Sequence, residues 1–270
     1  MSGSTHTTER GTGRAAEAAP PATDRFACYV YGIVPEDVEV SPGTVGVGEP
    51  VGQVTLVRHG EIAALVSPVD VDRPLGRASD LVAHERLLHG AAAEVPVLPF
   101  RFGAVLTSPE AVVEELLAPH HDQFAAALRQ LEGKAQHVLK ARYAERPVLL
   151  EILRENAEAR RLRDRIRDLP EDATRTERIR LGELITQAIE AKREADTQAV
   201  LDRFASCTVA ANVRDPSHER DAAHVAFLVE HAKADEFAEA VEELSDEWAD
   251  RVEVRVLGPM APYDFVVAEG

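Results

Sequence analysis

Between Thr174 and Phe204 the chain carries its longest unbroken helical pattern, and a rod of that length restricts what the rest can build around it. Leu181, Leu184, Ile185, Ala188, Ala195 and Ala199 recur at helical spacing, charged residues such as Arg180, Glu183, Glu190 and Glu194 fill the other side, and no proline interrupts the run. Thr174 and Glu177 have the spacing of a capping box, in which each side chain satisfies a free backbone N–H of the other's. At about 1.5 Å per residue the rod reaches on the order of 45 Å, so its apolar stripe outruns a small sheet and needs a second helix as cover. Val148 to Leu169 supplies that helix. One strand-like run precedes the pair, and strand, strand, helix, strand follow it. The order βαββαβ predicts an α+β protein whose second domain, residues 133–257, is a modified ferredoxin-like sandwich with its first crossover enlarged into a helical hairpin over residues 147–204.

The strands of that domain are read from alternation. Ala135, Leu139, Ala141 and Tyr143 share one face; Cys207, Val209, Ala211 and Val213 point inward from a strand over 205–213; Val225, Phe227 and Val229 form a third row, and Val252, Val254 and Val256 close the sheet. Phe237, Val241, Leu244 and Trp248 make the stripe of the second helix.

The first domain, residues 25–132, opens with FACYVYGIV at 26–34, apolar or aromatic on both faces and therefore a central strand. Gly43, Gly46 and Gly48 follow, but their spacing matches no phosphate-binding fingerprint and no helix pattern comes after them, so the segment reads as a loop. Residues 51–57 and 61–66 form a hairpin across Gly60. Ser79 caps a helix through Ala93, with Leu81, Leu88 and Ala92 inward. Within it, HERLLH places His84 and His89 five apart, whereas a zinc helix needs histidines four apart on one face, so His84 reads as a satisfied, partly buried histidine. VPVLPFRFGAV at 95–105 is an edge or bulged strand because of Pro96 and Pro99, with the Phe100 and Phe102 rings on one face and Arg101 on the other. A helix starting at Ser108 bends or restarts at Pro119 and ends at Gly133.

Net charge is -17, spread over the second half, which repels nucleic-acid backbones and anionic membrane surfaces. No apolar run has the roughly 18 residues a membrane span needs, residues 1–24 read as a disordered tail without a signal-peptide core, and Cys28 and Cys207, each in a strand-like run, read as buried thiols of a cytoplasmic protein. No catalytic triad, metal cluster or phosphate loop is present, so neither enzyme nor cofactor is expected. Residues 258–270 stop the last strand at Gly258 and Pro259, yet Tyr263 and Phe265 are too apolar for a free end; this tail is expected to pack back on the protein or on a partner.

YVYGIV at 29–34, GEIAALVSPV at 60–69, HE at 84–85, VPVLPFRFGAV at 95–105, LEGK at 131–134, AFLV at 226–229 and LGPMAPYDFV at 257–266 together resemble the gas vesicle GvpL/GvpF family, in that order and over nearly all of 25–267. The resemblance implies a cytoplasmic accessory or minor structural protein of gas vesicles, two α+β domains, and binding to the small hydrophobic shell protein GvpA and to other gas vesicle accessory proteins, without catalysis. A free shell subunit exposes apolar surface that must be covered; Phe100, Arg101, Phe102, Pro259, Tyr263 and Phe265 are the candidate contacts. The alternative is a ferredoxin-like protein that binds or converts a small molecule.

Overall fold

The doubly apolar run at the start becomes β1 (Phe26–Pro35), the inner strand of an antiparallel sheet in the computed structural model, which describes residues 25–266. The tail expected over residues 1–24 lies outside the described residues. On one side β1 pairs with β3 (Ile62–Asp70), itself in a hairpin with β2 (Thr55–His59); on the other it pairs with two short strands, β4 (Leu98–Pro99) and β5 (Val105–Leu106). A bulge between Val30 and Gly32 changes the phase of alternation. Ala27, Tyr29, Tyr31 and then Val34 face one core, while Cys28, Val30 and then Ile33 face the other. Gly32 is required at this crossing, since a Cβ there would lie 2.5 Å from the Leu98 carbonyl oxygen.

Helices cover both faces of this sheet. α1 (Ala78–Glu94) lies on the tyrosine side, with Asp80, His84, Leu88 and Ala92 inward. Leu81, expected inward, is exposed, and Ser79 is not the cap. The N-cap is Arg77, and Asp80, the third helical residue, reaches back from inside the helix: its carboxylate accepts from the backbone N–H of Gly48, Gly76 and Arg77, so the helix start is tied to the glycine loop. On the opposite face α2 (Pro109–Ala111), a π-helical stretch Val112–Leu117 and α3 (Ala118–Leu131) run as one helix. The break expected at Pro119 is replaced by this wider turn, which accommodates a residue that cannot donate a helical hydrogen bond.

The second sheet has the order β7-β8-β6-β9, all antiparallel, from β6 (Lys134–Tyr143), β7 (Ala210–Val213), β8 (Asp221–Glu230) and β9 (Val252–Met260). Between β6 and β7 come α4 (Glu145–Glu155), α5 (Ala157–Ile166) and α6 (Arg175–Phe204); α7 (Ala234–Trp248) joins β8 to β9. The expected single helix over 148–169 is broken at Asn156, whose Oδ1 accepts from the Ala159 N–H at 3.0 Å and starts α5. α6 has the expected length, but the Thr174–Glu177 capping box does not form. Thr174 is buried, and its hydroxyl donates to the Pro170 carbonyl and accepts from Arg178. Ala195 and Ala199 are exposed; the buried line in the second half of the rod is Asp196, Val200 and Phe204.

That line packs with Leu139, Tyr143, Val225 and Phe227 from the sheet and with Phe237, Leu244 and Trp248 from α7. Phe204, Phe227 and Phe237 form its centre, with ring centroids 5.1 to 5.8 Å apart. The strand expected over 205–213 is shorter. Residues 205–207 are a turn, so Cys207 is buried there and not in a strand, and Val209 and Val213 are exposed where alternation placed them inward. The Thr208 hydroxyl donates to the Phe204 carbonyl at 2.8 Å and helps close the helix end, which leaves β7 to start three residues after Cys207.

Candidate partner-binding surface

Residues 261–266 leave β9 and cross to the first sheet. Ala261 is fully buried and Tyr263 half-buried in the core under α1, whereas Phe265 and Val266 enter the core on the other face, together with Phe100, Leu128 and Leu228. Polar groups fix this crossing. Buried Gln136 on β6 donates from Nε2 to Asp264 at 2.6 Å and accepts the Asp264 N–H at 3.0 Å, and Arg214, just beyond β7, pairs with the same carboxylate. The six residues thus clasp one sheet to the other.

His84 is the hub on the first sheet. The Phe100 carbonyl beside His84 Nε2 can only accept, which puts the proton of the neutral ring on Nε2, so Tyr29 Oη, accepting from the Gly103 N–H at 3.1 Å, donates to His84 Nδ1 at 3.0 Å. Nε2–H then points at the Phe100 carbonyl, 3.1 Å away, with the Tyr263 hydroxyl at 3.2 Å sharing it. Burial pushes the His84 pKa down and Tyr29 up to about 12. Burial, then the nearby Glu85, raises Tyr263 as well. All three are neutral near pH 7, so the cluster holds β1 and residues 261–266 together without carrying charge. The expectation of a satisfied histidine at 84 is met by three oxygen partners.

Four of the six candidate contacts line this crossing, two on each face of the first sheet. Phe102 stands beside His84 and Tyr29, with ring centroids 5.6 and 5.8 Å away. Phe100 lies on the opposite face, edge-on to Phe124 at 6.3 Å. The two rings therefore do not share a face: the chain turns at Phe102–Gly103 between β4 and β5 instead of continuing as one strand. Tyr263 joins the Phe102 side and Phe265 the Phe100 side, while Arg101 and Pro259 remain exposed.

Gln136 and Asp264, which carry the clasp, were missed by sequence reasoning, because Gln136 alternates with the apolar row of β6 and so reads as a solvent-facing residue. Among the described residues no group of three or more His, Cys, Asp or Glu is placed to hold a metal, and no helix is long and apolar enough to cross a membrane.

Two antiparallel sheets, helices on the outer faces and a C-terminal segment that joins them define an α+β protein built around an internal clasp. The overall fold is shared with the crystal structures of the gas vesicle protein GvpF from Anabaena sp. PCC7120 (TM-score 0.70, 24% identity, 91% of this chain and 98% of that one) and from Microcystis aeruginosa (TM-score 0.70, 25% identity, 88% and 98%). The family model of gas vesicle synthesis protein GvpL/GvpF matches residues 27–267, and the chain belongs to that family. It is 35% identical over 245 residues to gas vesicle protein F of Streptomyces sp. (strain CB03234), covering 89% of this chain and all of the relative, and 29% identical over 265 residues to gas vesicle protein L of the same strain, covering 90% and 94%. The family is one of gas vesicle proteins and not of enzymes.

Proposed function

We propose that this chain binds the small hydrophobic shell protein GvpA in the cytoplasm, covers its apolar surface before polymerisation and assists gas vesicle assembly, alone or with other accessory proteins. The observation that carries this reading is the family match along residues 27–267, which spans both sheets and the clasp. Shell subunits that will line a gas space are insoluble unless covered, and a binder supplies that cover.

The strand order β7-β8-β6-β9 supports reading residues 133–257 as a ferredoxin-like domain, with 25–132 as the other. Exposed Arg101 and Pro259 are the proposed direct contacts. Phe100, Phe102, Tyr263 and Phe265 act from beneath, by holding the 100–103 turn and the C-terminal segment in place. Coexpression of residues 24–270 with the shell protein of the same genome, followed by affinity capture, tests the reading. Retention of soluble shell protein in a defined ratio is expected; a shell protein that is expressed and soluble yet never captured would sink it.

A further inference from the structure

Among the described residues, one flank of α1 is left open. Between it and the 37–45 loop runs an open groove of about 720 Å³. Its floor is apolar: Val38, Val40, Leu87 and Val95 are half-buried there as the outer layer of the core under α1, and Val45 stands 61% exposed at the mouth. Its rim is acidic, with Asp37, Glu39 and Glu94 exposed against one cation, Arg86. The α1 wall from Ala83 to Glu94 is about 16 Å long, three helical turns, and Gly90 sits in the middle of it. That glycine lies inside a helix, where it costs stability relative to alanine, and an added Cβ would meet nothing within 4 Å. Internal packing therefore gives no reason for it, while a bare backbone on the groove wall lets another backbone approach closely.

We propose that this groove docks an amphipathic helix of about three turns from a second protein, apolar face inward and Lys or Arg along its flanks. An apolar floor sets the inward face, the acidic rim sets the sign of the flanks, and the length of the wall sets the number of turns. The rim also steers such a helix from solution, because the whole chain carries a net charge of -17.

The probe is a fluorescent Leu/Lys amphipathic peptide of about four turns, titrated against the full chain by anisotropy beside a Leu/Glu peptide of the same pattern. Binding of the Leu/Lys peptide is expected to be at least about tenfold tighter than that of the Leu/Glu peptide. Gly90→Trp fills the groove from an open position and should weaken it about tenfold, whereas Gly90→Ala should leave it unchanged and raise the melting temperature. The pair Glu39→Lys and Glu94→Lys should weaken binding and flatten its salt dependence. If folded Gly90→Trp binds the basic peptide as the parent does, the peptide sits elsewhere on the acidic surface and the groove assignment fails. If removal of residues 1–24 tightens binding about tenfold, the chain's own N-terminal residues compete for the groove and a second protein is not its occupant. Because the probe contains no shell protein, either result is separate from the capture experiment that tests shell binding.

Discussion

Both sheets bury polar groups beneath a helix, but the two interiors solve the problem with different chemistry. Under α1 the network is neutral: His84, only 2% exposed, is held by Tyr29, the Phe100 carbonyl and Tyr263. Under α6 it is ionic. Tyr143 donates to Asp196 at 2.5 Å, Arg251 pairs with Asp196 and Glu151, and Lys192 bridges Glu151 and Glu155 at 2.6 and 2.7 Å. The ionic network keeps its cations nearer to water, the Arg251 side chain being 28% exposed, as desolvation requires of charge. It is also self-contained, since every member lies between residues 143 and 251, whereas the neutral network needs Tyr263 from the far end of the chain. The first sheet is therefore the dependent half and the second the independent one.

Removal of everything after Met260 should break that asymmetry open most widely. Loss of the fully buried Ala261 and the half-buried Tyr263, Phe265 and Val266 is expected to cost about 4 kcal/mol, borne mainly by the first sheet. The single tryptophan, Trp248, reports only on the second half. Its fluorescence midpoint in urea should hardly move while far-UV circular dichroism acquires an earlier step; one coincident transition at lower urea would show that the halves fold as a single unit. Next in size is Arg251→Met, which leaves the Asp196 carboxylate under α6 without its cation and should cost about 3 kcal/mol. Here the tryptophan signal should shift. A loss below about 1 kcal/mol would mean that Tyr143 alone suffices for Asp196.

What was legible in the sequence follows the same division. The long rod, the strand order after it and the central position of β1 were carried by periodicity and by runs of apolar residues, which report burial directly, whereas the family was carried by resemblance of seven short stretches in order. Phase was lost wherever one residue changed the register: the bulge at Tyr31, the turn at Cys207 that reversed the inward row of β7, the π-helical stretch that carried the helix past Pro119. The polar groups were the least visible, because Asp80, Gln136, Asp196 and Asp264 are ordinary surface residue types until a distant partner makes burial tolerable. Tyr263 and Phe265 were legible as too apolar for a free end, but that they cross to the other sheet depends on Gln136 and Arg214, which bind Asp264 from 128 and 50 residues away in sequence.

Acid should weaken both halves, through histidines that burial holds below the ordinary imidazole pKa, His84 in the first and His137 in the second. The unfolded chain then takes up protons that the folded one refuses. Stability is complete above the unfolded value of about 6.5 and falls as pH drops below it, by at most about 1.4 kcal/mol per pH unit for each group. Melting curves from pH 7.5 to about pH 5 should show the decline, and His84→Gln should flatten the first-sheet part of it while leaving the tryptophan-reported part unchanged. An unchanged slope in both probes would locate the acid sensitivity outside the hub.

Tyr263→Phe is the smallest and most local change. Tyr29 Oη already spends its proton on His84 Nδ1, so Nε2–H is the only ring proton available, and it is divided between the Phe100 carbonyl at 3.1 Å and Tyr263 Oη at 3.2 Å. Without the Tyr263 oxygen the proton keeps its carbonyl partner, and the ring at 263 stays packed under α1. The loss should therefore be about 0.5 to 1 kcal/mol, less than a buried donor left unpaired would cost, and should appear only in the first-sheet step. A loss above about 2 kcal/mol would mean that the hydroxyl, not the carbonyl, is the principal acceptor for His84, and that the clasp is held to the first sheet by this hydrogen bond more than by apolar packing.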